Sequence, residues 1–138
     1  MSEYVPAALC RLVRERANQC CEYCQIHEDD AFLPHEPDHV IAVRHGGETL
    51  ESNLAWTCFV CNRAKGSDLS SVDNVTGQIV RLFNRRSDLW NDHFRMEPDG
   101  RMLPQTEIGR VTEFLFKLNR AEAREIRRTL TNSRRKPK

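Results

Sequence analysis

Cys58-Phe59-Val60-Cys61-Asn62-Arg63-Ala64-Lys65-Gly66 decides the fold, because it answers an earlier pair, Cys21-Glu22-Tyr23-Cys24, at the same spacing. Zinc takes four soft ligands in a tetrahedron. Two Cys-x-x-Cys knuckles supply them, while each knuckle turn can aim backbone N–H groups at the sulfurs. A redox dithiol and buried core cysteines are the competing uses of such pairs, but two pairs in one short chain favour a metal. Cys20-Cys21 permits either register. Only Cys21 leaves two residues before Cys24, so Cys21, Cys24, Cys58 and Cys61 are assigned to a structural Zn2+, with Cys10 and Cys20 as small packed residues. Four sulfurs close the shell, whereas a catalytic zinc keeps one position open, so any chemistry has to occur elsewhere.

The segment from Gln25 to Thr57 is longer than in a compact zinc ribbon and must hold structure of its own. Pro34 and Pro37 disfavour helix, and β-branched Val40, Ile41 and Val43 predict a strand that Gly46-Gly47 ends. Asn53 to Trp56 reads as the returning strand of a hairpin, and a short helix then carries Asn62 to Lys65, with Gly66 near its end. Upstream, Pro6 opens a helix with Leu9, Leu12, Val13 and Ala17 at helical spacing. Downstream come a turn from Asp73 to Gly77, a strand from Gln78 to Phe83 and a hairpin around Pro98-Asp99-Gly100. Thr106 caps a helix with Ile108, Val111, Leu115 and Leu118 on its apolar face, and Asn119 caps a second with Ala123, Ile126 and Leu130. The expected fold class is therefore α+β. A zinc-stapled ββα core with an N-terminal helix spans 1–70, and a C-terminal strand, hairpin and helices packed on it span 71–138, with the tail 131–138 flexible.

At 138 residues the chain suits a compact core of modest size. Lys and Arg number 21 and Asp and Glu 20, but this balance hides an asymmetry. Glu22, Glu28, Asp29, Asp30, Glu36 and Asp38 crowd one stretch, while Arg120, Arg124, Arg127, Arg128, Arg134, Arg135, Lys136 and Lys138 crowd the end. The basic end can contact phosphates or serve as an ordinary solvated face. Met1 to Pro6 lacks the basic and apolar regions of a secretory signal, and no apolar run is long enough to cross a bilayer. A soluble, cytoplasmic protein without a membrane partner is expected, in a compartment where thiols stay reduced.

Asp38, His39, Asn53 and Asn62 lie between or beside the knuckles. Phosphodiester hydrolysis needs an activated water, a cation for charge on the phosphate and a stabilised leaving group. His39 suits the general base because an imidazole titrates near neutral pH. Asp38 and Asn62 offer hard oxygen ligands for Mg2+ or Mn2+. Lys65 shares the helix face of Asn62 and can reach a phosphate oxygen. Neighbours on a regular strand point to opposite faces, so Asp38 and His39 serve one site only if the strand bulges or ends there. Asn53, opposite, can hydrogen-bond the His39 backbone or the loop in a supporting role.

Together Cys21 to Cys24, Asp38-His39-Val40-Ile41, His45-Gly46-Gly47, Ser52-Asn53-Leu54-Ala55 and Cys58 to Gly66 resemble the HNH endonucleases of the ββα-metal fold, in their zinc-bearing bacterial form. The resemblance covers Ala17 to Leu69; Thr76 to Asn84 and Trp90 to Phe94 are similar, more loosely, to the tails of small stand-alone HNH proteins. It implies metal-dependent DNA cleavage with His39 as base, Asp38 and Asn62 as ligands and Asn53 as the middle letter, leaving 5′-phosphate and 3′-hydroxyl ends. Asn62 stands where the family name has histidine, and its oxygen argues for magnesium over a transition ion.

The remaining candidates divide by context. His27, His35 and His93 read as structural, and Trp56, Trp90, Phe114 and Phe116 as core or interface. His45, in the Gly-Gly loop, can contact substrate, and Arg63, Lys65, Arg85 and Arg86, with Arg81, can line a phosphate track. Two other functions fit the same residues: a zinc-dependent nucleic-acid-binding module that does not cut alone, and an RNA-cleaving nuclease. So short a chain leaves target selection open to a second copy or a partner protein.

Overall fold

The computed structural model describes residues 4–130, which fall into two units, 4–67 and 68–130. Among these residues are five α-helices and six short strands, in three separate antiparallel pairs. No helix among them is long and apolar enough to cross a membrane. The expectation for the tail 131–138 lies outside the described residues.

In the first unit, α1 (Ala7–Arg16) starts after Pro6 and stops where Asn18 and Gln19 adopt positive φ. Val13 and Ala17 from this end of the chain pack with Leu54 and Trp56 into one small core. The hairpin pairs β1 (Glu36–His39) with β2 (Leu54–Thr57), and Cys58 then caps α2 (Phe59–Lys65). This is the expected strand, strand, helix order, with one correction. The first strand does not run through Val40, Ile41 and Val43; it ends at His39, and Val43 lies in a 3-10 turn, Val43–His45. The reason is the Asn53 side chain, which accepts from Ile41 N–H at 2.9 Å and donates to Ile41 C=O at 3.0 Å, replacing a strand partner. Pro37 sits inside β1 opposite Trp56, tolerable because a two-stranded sheet is all edge.

The loop between these strands explains both glycines. Gly46 has φ +88°, a region that a side chain disfavours. At Gly47 a Cβ would fall 1.7 Å from Ile41 O and 2.9 Å from Asn53 Nδ2, so the chain passes too close for any side chain.

The second unit pairs β3 (Ser70–Val72) with β4 (Ile79–Arg81) and β5 (Phe94–Met96) with β6 (Met102–Pro104). One helical turn, α3 (Trp90–His93), leads into β5, and α4 (Glu107–Phe116) packs on β3, β4 and β6. Its core includes Phe83, Phe94, Met102, Val111, Phe116 and Leu118, with Phe83 and Phe94 edge to face at 5.5 Å. Thr106 caps α4 as expected, accepting from Gly109 N–H at 3.0 Å. The expected cap of α5 (Ala121–Leu130) by Asn119 gives way to another contact, because the Asn119 amide pairs with both backbone groups of Met102 at 2.7 and 2.9 Å. Phe116 is core but Phe114 is exposed. Arg127, read as part of a basic tail, is 1% exposed and donates to Gly100 O at 2.7 Å and Leu118 O at 2.6 Å.

Candidate metal cage and cleft

Residues 19–28 fold back on themselves, with Cys21 N–H on Ile26 O at 2.9 Å and Glu28 N–H on Gln19 O at 2.9 Å, so Cys21 and Cys24 ride the tip. Gln25 takes φ +68° to close it. The tip is locked to β2 because Glu22 N–H donates to Trp56 O while its carboxylate accepts from Trp56 N–H. Across from it the second knuckle opens α2, where Cys61 N–H donates to Cys58 Sγ at 3.3 Å.

These two turns bring the sulfurs of Cys21, Cys24, Cys58 and Cys61 within 4.8 Å of one another, all buried. A Zn–S bond of about 2.3 Å puts tetrahedral neighbours roughly 3.8 Å apart. The 3.6 Å between Cys24 Sγ and Cys58 Sγ fits that edge, so the cage has the donors and the size for structural zinc. The four thiols divide: neighbouring sulfurs, Cys21 first, hold Cys58 below the ordinary thiol range, while burial pushes Cys21 up and the neighbouring sulfurs push Cys61 up, so it is the geometry of the sulfurs that identifies the cage. Cys20 is outside the cluster, and burial pushes its thiol up to about 12. The cage therefore uses the Cys21 register.

Beside the cage, a cleft of about 870 Å³ runs between β1 and α2, lined among others by Glu36, Asp38, His39, Arg44, Asn62 and Arg63. The strand problem is solved by termination, not by a bulge: pairing is regular from Glu36 to His39, the last residue of β1, and both Asp38 and His39 line the cleft. His39 is 8% exposed, and its Nε2 lies 2.9 Å from Thr49 Oγ1. Burial pushes the Asp38 carboxyl up, with Lys65 pulling partly against it. Asp38 Oδ2 is buried without a hydrogen bond, and Lys65 Nζ stands 3.4 Å away.

Lys65 departs from expectation. It is 2% exposed and points inward, donating to His39 O at 3.1 Å, and it does not line the cleft. A phosphate contact does not match that placement. Asn53 holds the loop and not the His39 backbone, adding Glu48 O at 2.9 Å to its two bonds with Ile41. Asn62 donates through Nδ2 to Glu36 Oε1. Arg63 is exposed over the Phe59 ring at 4.8 Å, whereas His45 is exposed but outside the cleft lining.

Arg85 and Arg86 belong to the second unit, and Arg81 there is held by a two-pronged pair with Asp88 at 2.8 Å. The structural reading of three histidines agrees with their contacts. His27 Nδ1 accepts from Asp29 N–H, His35 Nε2 meets Ile26 O, and His93 Nδ1 meets Thr106 Oγ1. Glu36 and Arg44 also line the cleft, and Thr49 reaches it through His39. Glu36 was within reach of the period-two rule, being two residues before Asp38 on one strand face, while Thr49 carries no local signal.

The family model described as HNH endonuclease matches residues 21–68. The chain carries an HNH domain. All four cage cysteines and every named lining residue of the cleft fall inside that span. No curated protein and no solved structure matches the chain. The HNH domain sets the function class as nuclease chemistry, with nucleic acid as the substrate class it suggests, and the sulfur cluster fits the zinc-bearing form.

Proposed function

We propose that the HNH domain hydrolyses DNA phosphodiester bonds in a metal-dependent reaction with His39 as general base. The observation that carries this reading is the single cleft lined by His39, Asp38 and Asn62 together. The donors suit Mg2+ or Mn2+: the Asp38 carboxylate, whose buried Oδ2 has no hydrogen bond but stands 3.4 Å from Lys65 Nζ, and the amide oxygen of Asn62. Such an ion, when bound, supplies positive charge against that developing on the phosphate.

The remaining work falls to side chains. His39 Nε2 and Thr49 Oγ1 stand 2.9 Å apart, a contact whose direction follows the imidazole tautomer; the tautomer protonated at Nε2, with Thr49 accepting, is the one that leaves the Nδ1 lone pair to take a proton from water. Lys65 acts from inside, holding the ends of β1 to α2, and Asn53 holds the loop that carries Thr49. Arg44 and Arg63, exposed along the cleft, neutralise backbone phosphates, with His45 adding a contact from the same loop as Arg44, while Arg85 and Arg86 are phosphate contacts of the second unit taken by itself.

Supercoiled plasmid with zinc-loaded protein is the test. Added Mg2+ is expected to produce nicked or linear product, its omission to abolish it, and His39→Ala to slow it by at least about 100-fold. Equal cutting by parent and His39→Ala would dismiss the base. Uncut plasmid with retained DNA binding would favour the binding module, and a matched RNA substrate separates the two nucleic acids.

A further inference from the structure

An amide has two chemically different ends, and only the oxygen end can ligate a cation. Asn62 sits at mid-helix in α2, where its side chain can rotate by half a turn with little change in shape. What fixes it is Glu36. Glu36 lies two residues before Asp38 on β1, its backbone oxygen is held by Thr57 Oγ1 at 3.0 Å, and Thr57 is fully buried. The side chain it presents accepts at Oε1 from Asn62 Nδ2. An ionised carboxylate carries only acceptors, so the end of the amide that faces it must be the NH2.

We infer that Glu36 is a positioning residue that orients the Asn62 amide, committing Nδ2 to itself and offering Oδ1 to a divalent cation beside Asp38. This rests on the cation-site reading given above. Without Glu36, the flipped amide presents two N–H donors to the ion, and half of the intended oxygen pair is lost. Removing a residue that orients a metal ligand typically costs about 10- to 100-fold in metal affinity.

The test is Mn2+ binding by the full zinc-loaded chain, followed by the electron paramagnetic resonance signal of free Mn2+, in a cycle of parent, Glu36→Ala, Asn62→Asp and the double variant. Aspartate at 62 has two equivalent oxygens, so it has no orientation to lose. Glu36→Ala is expected to weaken Mn2+ by about 10-fold or more in the parent background and to leave it unchanged or tighter in the Asn62→Asp background. Equal weakening in both backgrounds would overturn the inference, since Glu36 would then act as a ligand or a bare charge; so would no weakening in either. Mn2+ affinity indifferent to Asp38→Ala would instead remove the cation site itself, and this role with it. A metal-free readout supports the cycle: the Asn62 side-chain NH2 resonances should shift on Glu36→Ala, and unshifted resonances would also overturn it. Glu36 is exposed, and unchanged thermal melts will confirm that the variant folds.

Discussion

Lys65 Nζ reaches the main-chain oxygen of His39 at 3.1 Å and the Asp38 carboxylate at 3.4 Å, so one buried ammonium joins the last two residues of β1 to the end of α2. Hidden from solvent, it organises the cleft without facing it.

Lys65→Met is therefore expected to destabilise the protein by about 2–4 kcal/mol, because it strands the half-buried Asp38 carboxylate without its cation and the His39 main-chain oxygen without its donor. Arg63→Ala, on an exposed residue, should leave stability within about 0.5 kcal/mol and lower the salt slope of DNA binding by about 1. Thermal melts and binding titrations across salt concentrations check both. A Lys65→Met protein as stable as the parent would show that the ammonium is not structural.

The loop from Ile41 to Asn53 stands on three hydrogen bonds from one amide. Asn53→Ala should cost about 2–4 kcal/mol at roughly 1 kcal/mol per bond, and release the slow exchange of the Ile41 amide. Gly47→Ala should do the same, since its methyl would meet Ile41 O at 1.7 Å. Hydrogen exchange at Ile41 is the decisive signal; unaltered protection in both variants would contradict the arrangement.

Cysteine variants separate the cage from its bystander. Cys58→Ser should lose zinc and, with it, much of the roughly 10–16 kcal/mol that structural zinc contributes to folding of such cages near pH 7. Cys20→Ser should keep one zinc per chain and cost about 1–3 kcal/mol for a buried hydroxyl. Metal content by mass spectrometry with circular dichroism reads both, and a folded, zinc-free Cys58→Ser protein would argue against the cage.

Asp73 gives the second unit a pH signature. It is buried and accepts from Arg110 at 2.8 and 3.0 Å, from Val75 N–H and from Thr76 Oγ1, and the Arg110 guanidinium holds its carboxyl well below the usual range. A folded value below the unfolded one contributes stability that is present above about pH 4 and lost as pH falls toward the folded value. Asp73→Asn should therefore melt lower than the parent at pH 7, with the gap between the two narrowing steadily as pH falls below about 4. A constant gap across that range would show that the charge is not what matters.

What the sequence made legible was local. Two cysteine spacings, the Thr106 cap and the Pro98-Asp99-Gly100 turn each act over a few residues, so their outcome follows from neighbours in the chain. The departures involve partners far along it. Ile41 has the β-branched character of a strand, but the Asn53 side chain occupies its backbone from twelve residues away. Helical periodicity put Lys65 beside Asn62 without saying that one turns inward and the other lines a cleft. Arg127 looked like tail charge, because nothing in its own segment reveals the two carbonyl oxygens of Gly100 and Leu118 that draw it inside.

Cys61 and Asn62 are consecutive. A cage cysteine and a cleft-lining side chain thus share a peptide bond, with no hinge to isolate one from the other. Displacing the sulfur cage would therefore move the wall of the cleft, whereas the stretch from Ala42 to Ser52 joins the strands as a closed excursion. Variation in length or composition is more easily absorbed there than at the knuckle, which makes that excursion the natural place to retune what the cleft accepts.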